Sequence, residues 1–72
     1  MAVASAERFS YNLRRAREQK ELSQADLGRL AGISKSEVYR LEAGTRDPRL
    51  TTVVALARAL GVKGSDLIRG IH

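Results

Sequence analysis

Apolar residues recur along this chain at helical spacing, in five short stretches punctuated by glycine. Phe9, Leu13 and Ala16 fall at i, i+4 and i+7, which predicts a first helix over residues 7–20 with one inward stripe. Arg8, Arg14, Arg15 and Lys20 lie mostly off that stripe. The same spacing predicts a second helix over Gln24–Ala31, with Leu27, Leu30 and Ala31 inward, and a third over 35–43, with Val38 and Leu41 inward. A fourth is expected over Leu50–Leu60, burying Val53, Leu56, Ala57 and Leu60. A short fifth over 65–69 buries Leu67 and Ile68. Gly32, Gly44, Gly61 and Gly70 each follow such a stretch, at the place where a left-handed residue commonly ends a helix. No segment alternates long enough to make a strand. The expected class is therefore all-α, a single domain over residues 1–72 with a core at 7–69 and a flexible segment at 1–6.

Two helix starts are explicit. Ser34 precedes the third helix with Glu37 three residues on, the pattern of a reciprocal cap, and Ile33 and Val38 flank it as a hydrophobic staple. Ser23 and Asp26, with Leu22 and Leu27, repeat the device at the second helix. Only Gly32, Ile33 and Ser34 lie between the two helices. A glycine-containing turn this short makes the helices cross steeply, which is the helix-turn-helix connection.

Length and charge narrow the function. A chain of 72 residues buries only about 60% of the surface its unfolded form exposes, so its core is thin and an enclosed active site is not expected. It has no cysteine, and its one histidine is the last residue, so neither a disulfide framework nor a zinc cluster is expected, and no cofactor or metal. Thirteen Lys and Arg against eight Asp and Glu give a net charge of +5, which suits a polyanionic partner. No apolar run approaches the roughly 20 residues that span a bilayer. Residues 1–5 lack the basic region of a signal peptide, so the expected location is the cytoplasm.

On the third helix, an advance of about 100° per residue sends Val38 and Leu41 to the core and Ser36, Tyr39, Arg40 and Ala43 outward, with Lys35 on the flank. Glu37 and Glu42 lie at the borders. Arg and Lys can donate to guanine O6 and N7 in a major groove, Arg as a two-pronged fork. Ser36 can bond a base or a phosphate, and Tyr39 a thymine methyl or a phosphate. Such a face is more often simply solvated. Its position behind a capped short helix and a glycine turn favours DNA.

From Ser23 to Gly44 the sequence SQADLGRLAGISKSEVYRLEAG resembles the phage repressor and Cro type of helix-turn-helix, the XRE family. Leu13 to Arg17 resembles that family's first helix. Asp47 to Leu50 and Leu56 to Val62 resemble its fourth. The resemblance implies a five-helix, lambda-repressor-like fold with the motif formed by helices two and three. It implies that Gln24 bonds a backbone phosphate and that Lys35, Ser36 and Arg40 read base edges. Tyr39 would lie close to a base or the backbone. Thr45, Arg46 and Arg49 would follow the adjacent phosphates, and Arg17 and Glu42 would form a buried structural ion pair. Two positions depart from the pattern. Gly28 stands where alanine is usual, either to let helices two and three approach or merely as a tolerated residue. Lys63 and Gly64 replace the usual cap of the fifth helix, which would leave that helix poorly defined or displaced.

The resulting reading is a sequence-specific regulator of transcription, a repressor, that binds a palindromic double-stranded operator as a homodimer through helices four and five. Leu50, Val54, Ile68 and Ile71 are the candidate dimer surface, with Leu50 assigned instead to the monomer's own core. An alternative of a different class is a protein-interaction module of the same fold, such as an antitoxin with a toxin partner. An enzyme is not expected, because the chain has no cysteine, no internal histidine, no phosphate-cradling glycine loop and no carboxylate pair placed in a plausible pocket.

Overall fold

In the computed structural model, which describes residues 5–71, the chain forms α1 (Ser5–Gln19), α2 (Gln24–Ala31), α3 (Lys35–Glu42), α4 (Leu50–Leu60) and α5 (Gly64–Leu67). The first helix starts earlier than its apolar stripe suggests. Ser5 and Ala6 belong to α1, and Ala6 is buried, which removes them from the expected flexible segment. Residues 1–4 of that segment lie outside the described residues.

Each helix end has a local cause. α1 stops without a glycine: Glu21 takes the left-handed conformation at φ 57°, and the Leu22 N–H donates back to the Arg17 carbonyl at 3.2 Å. A residue with a Cβ costs roughly 1–2 kcal/mol there. At the start of α2 the cap is reciprocal. The Asp26 N–H donates to Ser23 Oγ at 2.9 Å, and the Ser23 N–H donates to Asp26 Oδ2 at 3.1 Å. The bond from the Ser23 N–H first, and that from Arg29 Nη2 to Asp26 Oδ1 at 2.7 Å next, hold the Asp26 carboxyl below its ordinary pKa. α2 ends at Gly32, φ 76°, where the Ile33 N–H closes on the Gly28 carbonyl at 2.9 Å. The Glu37 N–H then donates to Ser34 Oγ at 3.0 Å and starts α3.

The fifth helix is short and well placed. Lysine cannot accept a bond from the first turn, but Asp66 serves from inside it, accepting the Lys63 N–H at 3.0 Å. Asn12 Nδ2 on α1 donates to the carbonyls of Leu67 at 2.9 Å and Arg69 at 3.0 Å. The α5 helix therefore forms without the usual cap, over Gly64–Leu67 rather than 65–69.

α3 packs against both α1 and α2, and α4 lies across α2. Phe9, Leu13, Leu27, Val38, Leu41, Leu56, Leu60 and Leu67 are fully enclosed between them. Each such side chain stabilises the fold by about 1.5–3 kcal/mol relative to exposure. Leu22, Ala31, Ile33 and Ile71 close the edges of this cluster.

Three residues expected inside are outside: Leu30 is 58% exposed, Leu50 79% and Ile68 46%. On α2 the neighbours lie on the side of Leu27, Gly28 and Ala31, and Leu30 is about 100° around from the centre of that arc. Leu50 begins α4 beyond the reach of the core. Ile68 follows the end of α5, and Ile71 turns back onto the core in its place.

Gly28 is a point of close approach. A Cβ there would lie 2.7 Å from the Ile33 carbonyl oxygen and 3.3 Å from the Ser34 carbonyl carbon, both backbone atoms. Gly28→Ala gains about 1 kcal/mol of helix propensity. It must also push the turn away from α2, and forced overpacking costs about 1–3 kcal/mol. The expected net effect is a loss of up to about 2 kcal/mol in a urea denaturation midpoint measurement. A gain of about 1 kcal/mol would show that the turn yields freely.

Candidate nucleic-acid interface

The amphipathic pattern of α3 places its two faces as different surfaces. Val38, Leu41 and Glu42 are buried, and Lys35, Ser36, Tyr39 and Arg40 are exposed. Gln24, at the first position of α2, meets them. These five side chains line one open depression of about 440 Å³. Beside it, Glu37, Arg46 and Arg49 line a second depression of about 290 Å³ together with Ile33, Asp47 and Thr52. Thr45 lines neither depression; its N–H and hydroxyl both donate to the Arg40 carbonyl, at 3.3 and 3.2 Å. The connection after α3 is thereby folded against the last turn of the helix, and its cations flank the exposed face.

Behind the face sits an ion pair. Arg17 Nε donates to Glu42 Oε2 at 2.6 Å and Nη2 to Oε1 at 2.9 Å, a two-pronged contact. The third nitrogen, Nη1, donates to the Leu22 carbonyl at 2.7 Å. The two side chains are 14% and 4% exposed. The bond to Glu42 raises the Arg17 pKa, against the opposing effect of burial. Gln24 Nε2 also donates to Glu42 Oε1, at 3.1 Å. A single carboxylate thus joins α1, α2 and α3. One N–H of the Gln24 amide is engaged there, which leaves the other and the carbonyl oxygen for a partner outside.

Two residues at this surface escape the sequence pattern. Arg14 lines a third depression, of about 300 Å³, with Gln24, Tyr39 and Ala43. Its signal is its spacing: it stands one turn before Arg17, so it shares the side of α1 that faces the end of α3. Glu37 is the other. Its carboxylate does not complete the cap at Ser34. Oε1 faces Arg46 Nη1 at 3.0 Å and Arg40 Nη1 at 3.7 Å.

A tight helix-turn-helix that presents a polar, cationic second helix defines a class of protein that binds nucleic acid duplexes. Residues 13–67 match the helix-turn-helix family HTH_3, and the chain belongs to that family. Curated relatives it matches are named HTH-type transcriptional regulators. It is 37% identical over 57 residues to the uncharacterised HTH-type transcriptional regulator y4dL of Sinorhizobium fredii, a match covering 79% of this chain and 29% of that protein. The chain spans about half the length of several other such regulators. The crystal structure of the restriction-modification controller protein C.AhdI from Aeromonas hydrophila superposes with a TM-score of 0.86 at 36% identity, over 89% of this chain and 97% of that one. The P22 c2 repressor, solved with a synthetic operator, superposes at 0.80 with 26% identity, over 86% and 94% of the two chains. No helix among the described residues is long and apolar enough to cross a membrane.

Proposed function

We propose that this domain acts in the cytoplasm as a transcriptional repressor that reads a palindromic operator, with α3 in the major groove and α2 across the backbone. The observation that carries this reading is the convergence of Gln24, Lys35, Ser36, Tyr39 and Arg40 on one surface, with Arg46 and Arg49 beside it. Lys35, Ser36 and Arg40 read base edges, and Tyr39 contacts a base or the adjoining backbone. Gln24, Thr45, Arg46 and Arg49 hold phosphates, aided at Gln24 by the free N–H groups and positive dipole end of α2. The likeness to the P22 c2 repressor, solved in complex with a synthetic operator, supports duplex DNA as the partner.

One such module reads few base pairs, and a two-fold dimer reads two half-sites about 34 Å apart. The exposed Leu50 and Val54 stand one turn apart on α4, and the exposed Ile68 follows α5. This unpartnered apolar surface supports a homodimer through α4 and α5. The polar outer face of α3 favours DNA over a toxin as the partner of the motif, because a protein-binding face would present apolar anchors.

Selection from a random duplex pool tests the reading. The expected product is a palindrome with half-site centres about 10 base pairs apart, bound by a dimer in sedimentation. Affinity for random duplex should fall steeply as salt rises. Absence of binding at low salt would sink the proposal.

A further inference from the structure

Glu37 stands at the third position of α3, between a proposed base reader and a proposed phosphate contact. Two observations set it apart. The first is a comparison of two caps built alike. At Ser23 the acidic residue three positions on returns the cap: Asp26 Oδ2 accepts the Ser23 N–H at 3.1 Å. At Ser34 the backbone half of the cap forms, the Glu37 N–H reaching Ser34 Oγ at 3.0 Å, while the Glu37 carboxylate is turned to the arginines. The second is the origin of those arginines. Arg40 lies one turn further along α3, and Arg46 comes back from the connection nine residues away. One carboxylate, its side chain only 24% exposed, therefore bridges the reading helix and the flanking loop.

We propose that Glu37 is a positioning residue that sets DNA specificity, restraining Arg40 and Arg46 so that neither cation grips phosphates indiscriminately. The inference rests on the roles proposed above for those two arginines. On random DNA each phosphate contact must compete with Glu37, and the carboxylate itself repels the backbone. On the operator, Arg40 can give two N–H groups to guanine O6 and N7 and keep a further edge of its guanidinium toward Glu37, since the group has five donors. The restraint therefore weakens off-site binding more than operator binding.

Glu37→Gln is the test, because it removes the charge and keeps the shape and the backbone cap. Affinities for the selected operator and for random duplex are measured for both proteins across a salt series. Random-duplex affinity is expected to rise roughly fivefold to tenfold at about 0.1 M salt, and its log–log salt slope to steepen by about 0.9, the increment for one added net charge. The ratio of operator to random affinity should fall. In an Arg46→Ala background the increments should shrink, because one restrained cation is gone. A merely structural role would lower affinity and leave the slope alone.

Unchanged random-duplex affinity and slope in Glu37→Gln, with the parent binding DNA normally, would overturn this inference alone. A new base preference at one operator position would overturn it in favour of direct reading by Glu37. A parent that binds no duplex would overturn it together with the proposed function.

Discussion

Glu42→Ala is expected to lower the unfolding free energy by about 3–5 kcal/mol, the usual effect of stripping one partner from a buried ion pair. Arg17 would keep its bond to the Leu22 carbonyl but lose both bonds to the carboxylate, so a cation 14% exposed would be left without its counter-ion. Gln24 would lose its acceptor in the same step. The domain is small, and domains of its size sit near the low end of the usual range of about 5–15 kcal/mol. A large share of the folded population is therefore at stake at physiological temperature. The effect belongs to the unpaired charge rather than to the pair. Replacing both partners, as Arg17→Met with Glu42→Leu, should restore most of the lost stability, because two apolar residues of similar volume are often as stable as the pair. Urea denaturation of the single and double variants decides this. A single-variant loss under about 1 kcal/mol would mean that water reaches Arg17 easily.

The fold and much of the interface can be read along the chain, and the misreadings share a cause. Phe9, Leu13, Leu27, Val38 and Leu41 were legible because each repeats at helical spacing and lies at the centre of a buried arc. Leu30 and Leu50 have the same composition signal but sit at the margin of an arc or the end of a helix, where periodicity alone does not decide burial. The turn of α2 into α3 was legible from Ser23, Gly32 and Ser34, since caps and a glycine act locally. The end of α1 was less so: Glu21 adopts a conformation for which glycine is the usual marker. The Arg17–Glu42 pair spans 25 positions in sequence, so no spacing rule reveals it, and it was reached only through a family resemblance. The place of Glu37 was hidden for a related reason. Its position suited a cap, and only the path of the connection after α3 brings Arg46 back to it.

Arg40→Ala should erase discrimination at a single base position of each half-site, about 1–3 kcal/mol, and should leave the preferences elsewhere intact. Arg46→Ala should instead weaken every sequence alike and flatten the salt slope by about 0.9. The difference follows from what each guanidinium exchanges on binding. Arg46 gives up a 3.0 Å ion pair with Glu37 to reach a phosphate, so its net contribution lies at the low end for an exposed cation. Arg40 stands 3.7 Å from the same carboxylate without a hydrogen bond to it, and a guanine fork leaves its remaining N–H groups toward Glu37, so it gives up less than Arg46 does. Gln24→Ala should also weaken all sequences, but its bond to Glu42 makes its folding stability change as well, and affinity must be read at a temperature where the variant is folded. Selection from a random pool with each variant separates these outcomes, since a reader changes the base profile and a phosphate contact changes only the total. Uniform weakening by Arg40→Ala would place Arg40 on the backbone and move base reading toward Lys35 and Ser36, the other two proposed base readers that line the depression.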